Sequence, residues 1–264
     1  MRFKDKYPVI VSIIATAVIL FSLWLVPKIW FLPGGLWSAL LFEIILMIIP
    51  FVLLLILGDL KVYIRGSITE TAFAGAYLLF GQLMLFGTTL AEAVKSPDTN
   101  WVSAGWIVYG VVELIGVGFR EETVFRGIVT NQIAKKYIKD RKGVLLTALV
   151  SAVIFGFAHM TNVFYGVNLF SALVQSLAAV GIGFYLSAVY LRGGNIWVLI
   201  LMHTITDAAS LFYASFTTSV TSVDVINDLS IMNLTPLVVF GAAGLFLLRK
   251  SKCAQIIERY NTAE

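Results

Sequence analysis

Long apolar runs alternate with short polar breaks along this chain, and each run is close to the length that crosses a bilayer. Eight runs are expected to be helices: 8–26, 36–57, 71–91, 101 to about 134, 145–163, 169–191, 196–213 and 231–248. A hydrocarbon core of about 30 Å needs about 20 residues at about 1.5 Å each. Lipid offers backbone N–H and C=O groups no partner, so runs of this length must bond internally as helices. The breaks hold turn and capping residues, among them 27–35, 59–65, Arg192-Gly193-Gly194-Asn195 and the Ser/Thr/Asp stretch 217–230. The expected fold is an all-α polytopic membrane protein of about eight transmembrane helices, with residues 1–264 forming one integral membrane domain.

The fourth run breaks the pattern. Arg120, Glu121, Glu122 and Arg126 put four charges into seven residues. The apolar stretch 101–119 enters them with no turn signal, and helix-compatible residues continue to about Ala134. A cytoplasmic helix end would carry such charge in water at little cost. At depth the same charge is costly and marks a functional site.

Composition agrees with the pattern and adds topology. Hydrophobic residues make up 59% of the chain and charged residues 13%, and the mean hydropathy is +0.91. The net charge of +4 is no nucleic-acid signal, because the basic residues fall in the breaks. With the N-terminus inside, the inner segments hold Arg2, Lys4, Lys6, Lys61, Arg65, the basic cluster 135–142, Arg192 and the tail from Arg249. The outer loops hold only Lys28 and Lys95. This positive-inside bias places both termini in the cytoplasm. The first run has no convincing cleavage site and reads as a retained span. The single cysteine, Cys253, excludes an intramolecular disulfide and a cysteine-based metal site. Chain size and the lack of a targeting signal point to a prokaryotic plasma membrane, where prenylated substrates are not expected.

Depth counting sharpens the fourth run. Glu121 lies 19 residues before Asp140, the centre of the basic turn, and His159 lies 19 after it. In an antiparallel helical hairpin both stand about 28 Å from the turn. With the basic residues in water, that level is near the bilayer midplane. His203 lies ten residues past Gly193, and Asp207 follows one turn later on the same face. A buried polar active site is therefore expected between spans 4, 5 and 7. Glu122 and Arg126 can pair at i, i+4, while Glu121 points about 100° away and is expected to meet the histidines. Glu with His can activate a water; a second His with Asp can hold a metal or donate to an oxyanion. No Ser or Cys stands beside a His as a nucleophile, which favours water-mediated attack. Glu43 and Glu113 are expected to pair with Arg120, line the cavity or lie near an interface. Gly181/Gly183 and Gly241/Gly244 read as helix-packing sites.

At these residues a family becomes recognisable. Glu121-Glu122-xxx-Arg126, Phe155-xxx-His159 and His203-xxx-Asp207 resemble the three motifs of the CPBP family, which comprises type II CAAX prenyl proteases and the Abi proteins of bacteriocin processing and self-immunity. Gly193-Gly194-Asn195-Ile196-Trp197 is similar to that family as well, and the core carrying the motifs spans 101–214. The resemblance implies an intramembrane endopeptidase that cleaves a membrane-associated peptide or protein, with the lipid bilayer as its other partner and no nucleic acid. It implies that Glu121 and His159 activate the water. His203 and Asp207 would hold a metal or the oxyanion, and Glu122 and Arg126 would support them. Zinc is the cofactor to consider, with His159, His203 and Asp207 as its ligands. The prenyl-protease branch usually has Asn where Asp207 stands; an ionised Asp cannot donate a hydrogen bond but ligates metal better.

Two other readings compete. A non-catalytic membrane scaffold or bacteriocin self-immunity protein of the same fold has no need of intact Glu121, His159 and His203. A proton-coupled transporter would show inverted repeats and paired broken helices, and neither is evident in the sequence.

Overall fold

The computed structural model describes residues 3–57 and 59–262; Arg2, counted above among the inner charges, lies outside them. The main helices are α1 (Pro8–Ile29), α2 (Leu36–Leu57), α3 (Ile68–Lys95), α4 (Ala104–Glu122), α5 (Asn131–Tyr137), α6 (Arg141–His159), α7 (Leu169–Gly193), α8 (Ile196–Ser210), α9 (Thr235–Leu247) and α10 (Lys250–Thr262). One-turn helices and 3₁₀ turns fill the connections, and no strand forms among the described residues. The fold is all-helical and polytopic.

Capping residues set the helix ends. Ser67 Oγ accepts from Glu70 N at the start of α3. Asp140 accepts from Gly143 N at the start of α6, which places the expected turn where the depth count put it. Asn168 and Asn195 cap α7 and α8 in the same way. The Gly-Gly-Asn turn divides its labour: Gly194 closes α7 at φ +78°, a left-handed conformation suited to glycine, and Asn195 opens α8. Pro27 does not end its helix as the composition of its loop suggested. It sits in the last turn of α1, which runs on to Ile29.

Among the described residues, five helical stretches are long and apolar enough to cross a membrane: α1, α2, α3, α7 and residues 141–165. A sixth forms if the pair Ile231–Leu247 and Lys250–Tyr260, bent by 67°, counts as one span. Two of the eight expected runs differ in kind. The helix α8 has 15 residues, or about 22 Å, and breaks at Leu211 before the short helix Phe212–Phe216. The fourth run is helical from Ala104 to Tyr137 but changes geometry midway. Between α4 and α5, Thr123–Thr130 form a π-helix, a form that is rare and concentrates at functional sites.

That π-helical segment is the hub of the bundle. It packs on α1, α2, α4, α5, α6, α7 and α8, and every residue from Glu122 to Ala134 is buried. Hydroxyls stitch it to α6: Thr130 Oγ1 and Ser151 Oγ lie 2.7 Å apart, and both donate to the Phe125 carbonyl. Small residues bring the other helices close. A Cβ on Gly118 would lie 2.7 Å from Thr204 Oγ1, so α4 and α8 are in near-backbone contact there. A Cβ on Gly181 would lie 2.4 Å from Leu237 Cα, and one on Gly244 2.6 Å from Phe184. These two join α7 to α9 as expected, whereas Gly241 faces open space and joins nothing.

The segments expected on the inner side meet at one end of the bundle. Lys4 Nζ donates to the Leu57 carbonyl, Arg65 donates to Asn131 and Tyr190, and Asp59 accepts from Gln132 and Lys135. Ser67 N donates to Gly193 O at 2.8 Å. The opposite loops meet in turn, through Val102 N to Phe216 O and Thr218 N to Asn100 O.

Candidate active site

The end of α4, the end of α6 and the middle of α8 converge on one imidazole. Glu122 Oε1 stands 2.6 Å from His203 Nδ1 and 2.9 Å from Arg126 NH1. The carboxylate only accepts, so Nδ1 of His203 carries a proton. On its other side, His203 Nε2 faces Glu121 Oε2 at 3.5 Å and Asp207 Oδ2 at 3.6 Å. Three carboxylates and one guanidinium thus surround one ring.

Each member has a distinct exposure. The side chains of Glu122 and Arg126 are fully buried. The Arg126 guanidinium also donates to Gly183 O at 3.4 Å and lies 4.9 Å from the Phe155 ring. Glu121 and Asp207 are 28% and 21% exposed. Glu121 Oε2 is buried with no hydrogen-bond partner among the described residues. A charged oxygen left so is costly unless the site uses it.

His159 ends α6. Its Nδ1 lies 2.9 Å from the Phe155 carbonyl; a carbonyl only accepts, so Nδ1 donates and Nε2 remains an acceptor. Phe155 stands between the two histidines, edge-on to His159 at 4.8 Å and to His203 at 6.0 Å between ring centroids.

Two cavities meet at these residues. The first, about 410 Å³, is walled by α1 and α2 and reaches Glu121, His159, His203 and Asp207. The second, about 510 Å³, lies toward α7 and residues 225–236 and reaches His159, His203 and Asp207 from the other side. Gln175 borders both and accepts from Asn162 at 2.8 Å.

Residues 103–209 match the family model for type II CAAX prenyl endopeptidases, Rce1-like. The resemblance carried by the three motifs is borne out. No curated protein and no solved structure gives a match. The matched segment holds all six predicted site residues, from Glu121 to Asp207. Residues 103–209 are thus similar to a peptidase family, and helices of this length and apolarity mark the chain as an integral membrane protein.

The sequence reading of the charged stretch needs one amendment. The pair of Glu122 and Arg126 is present, but Glu122 is shared with His203 rather than closed within its helix. Glu121 is turned toward His203 as expected. Glu43 pairs with Arg120 at 2.5 Å, and both line the first cavity. Gln175 and Asn162 were not singled out, although the depth rule applied to Glu121 also selects Gln175 as a polar residue inside an apolar run.

Zinc was expected on His159, His203 and Asp207. Among the described residues, no three His, Cys, Asp or Glu side chains gather into a group able to hold a metal. His203 has Nδ1 committed to Glu122, and His159 has Nδ1 committed to Phe155. Both commitments leave Nε2 available, the orientation in which a ligating histidine donates its other ring N–H, so the donor atoms would suit a metal although the side chains are not gathered around one point in this structure.

Proposed function

We propose that the chain is an intramembrane endopeptidase that hydrolyses a membrane-associated peptide or protein with a water activated by Glu121. The observation that carries this reading is Glu121 Oε2, buried with no hydrogen bond among the described residues and 3.5 Å from His203 Nε2, at a cavity shared with His159 and Asp207. Glu121 takes a proton from water, and His159 Nε2 accepts a hydrogen bond from the hydrogen that the oxygen keeps, which orients it. The hydroxide adds to the scissile carbonyl carbon. His203, held by Glu122 and Arg126 and protonated on both ring nitrogens among its three carboxylates, presents Nε2–H to the oxyanion, a role that pre-set donors fill without reorganisation. Glu121 then returns its proton to the departing amine, so the C–N bond breaks and the elements of water are divided between the products.

Eight crossings, with both termini in the cytoplasm of a prokaryotic plasma membrane, fit the charge distribution best. The run 104–137 is less apolar than the other spans because it carries the site's charges, and α8 continues past Leu211 into the short helix Phe212–Phe216.

The test uses the purified full chain in proteoliposomes with membrane-anchored reporter peptides, one of them farnesylated, and mass spectrometry of the products. Internal cleavage by wild type and its loss in Glu121→Gln is the expected result. Unchanged cleavage by both Glu121→Gln and His203→Ala would falsify the proposal. Zinc on His159, His203 and Asp207 is tested by metal analysis of the same protein. Stoichiometric zinc that disappears with His203→Ala moves the chemistry to a metal; full activity without zinc keeps it with the glutamate.

A further inference from the structure

A third cavity, of about 790 Å³, lies away from the active site, between α3 and α9, with Tyr185 of α7 at its floor. Its walls are apolar: Phe73 and Tyr77 on one side, Ala243 and Phe246 on the other. Phe73, Tyr77 and Phe246 are each more than half exposed, so the groove opens outward from the bundle. The floor is fixed, because Tyr185 OH donates to Ala74 O at 2.9 Å.

One end of this groove is cationic. Arg192, Arg249 and Lys252 line it there, on the inner side of the bundle. Arg192 and Lys252 both donate to Gln255 Oε1, at 3.1 and 3.3 Å. Arg249 donates to the Phe246 carbonyl and stacks on its ring at 4.5 Å. Among the described residues none of the three has a carboxylate partner. Glu70 also borders the groove, but its Oε2 pairs with Arg259 at 3.2 Å. Two of these cations share one neutral amide oxygen and the third meets a carbonyl, so with Glu70 engaged by Arg259 the pocket is left net positive. From Glu70 to Tyr77 the apolar wall runs about 10 Å along α3, against about 15 Å for the hydrocarbon of one leaflet.

We propose that this groove binds an anionic phospholipid, its phosphate held by Arg192, Arg249 and Lys252 and its upper acyl chain laid along Phe73, Tyr77, Ala243 and Phe246. A free phosphate would use the cations and leave the apolar wall bare. A zwitterionic lipid would use the wall and leave the cations without net compensation. Basic clusters at the end of spans recognise anionic lipid in this manner, at about fivefold in affinity per cation.

Native mass spectrometry of the full chain, reconstituted with equal phosphatidylglycerol and phosphatidylcholine, reads the retained lipid. Wild type is expected to retain phosphatidylglycerol selectively. The triple change Arg192→Gln, Arg249→Gln and Lys252→Gln should lower that selectivity roughly a hundredfold. An equal loss of charge elsewhere, Lys61→Gln with Lys139→Gln and Lys142→Gln, should leave it unchanged. Ala243→Trp, which fills the apolar part, should reduce retention of the lipid with all three cations intact. Equal selectivity in the two triple variants overturns the proposal, as does displacement of the lipid by millimolar inorganic phosphate. A shift from dimer to monomer on Ala243→Trp, with lipid retention unaltered, would assign the groove to a second copy of the chain instead.

Discussion

Glu122 accepts a hydrogen bond from His203 at 2.6 Å, across 81 residues of sequence, with the same oxygen that accepts from Arg126. One carboxylate therefore neutralises a buried guanidinium and fixes the orientation of the His203 imidazole. The integrity of the site and the stability of the bundle share that atom.

Arg126→Met should unfold at a markedly lower temperature in detergent. It leaves Glu122 buried beside His203 without its counter-charge, and removing one partner of a fully buried pair costs about 3–5 kcal/mol. Arg126→Met with Glu122→Gln should recover much of that loss while remaining inactive, because the charged support of His203 is gone. Thermal denaturation paired with reporter cleavage separates the two effects.

Glu121→Gln should behave oppositely. Its Oε2 has no partner among the described residues and its side chain is partly exposed, so the melting temperature should stay within a degree or two. Cleavage should fall by about 10²–10⁴, the usual worth of a positioned proton acceptor. A variant that melts early would point to a structural role instead.

Gly118→Val should disable the site from outside it. The added atoms meet Thr204 Oγ1 at 2.7 Å and the Ile200 carbonyl at 3.0 Å, so α4 must move away from α8. That separates Glu121 and Glu122 from His203, and about 1 Å of misplacement can cost a hundredfold in rate. The expected signature is a large drop in kcat with substrate binding largely retained.

Arg120→Gln should destabilise more than Arg120→Gln combined with Glu43→Gln. The single change leaves Glu43, which is 3% exposed, as an uncompensated charge at the wall of the first cavity. A double-mutant cycle on thermal stability measures the coupling. Additive losses would show that the 2.5 Å contact contributes nothing.

Gly181→Leu should destabilise by about 1–3 kcal/mol through overpacking, since Leu237 Cα and the Pro236 carbonyl lie within 2.5 Å of the added Cβ. Gly241→Ala should be neutral or slightly stabilising, because nothing lies within 4 Å of it.

Counting residues from the turn at Asp140 placed Glu121 and His159 at one level because two helices joined by a tight turn share a ruler. The i, i+4 spacing gave the Glu122–Arg126 pair for the same local reason. That rule speaks only for residues on one helix, so the bond from His203 to Glu122 was not legible. The π-helical segment was not legible either. Thr123 to Thr130 have ordinary helix-compatible composition, and what accompanies the wider turn is tertiary: hydroxyls from Thr130 and Ser151 meeting on the Phe125 carbonyl. The break at Leu211 carries no proline or glycine, so the run 196–213 read as one helix. Gln175 failed to stand out because an amide in an apolar run attracts less notice than a charge.

The two cavities that meet at His159, His203 and Asp207 share Gln175, Leu211 and Ile226 but extend in different directions, one along α1 and α2, the other along α7 and residues 228–236. In the proposed reaction the two ends of a severed chain then lie in separate compartments. Neither fragment has to pass the other on its way out. An added product mimic of one end should compete with substrate for one compartment only, so mimics of the two ends should inhibit independently and bind together.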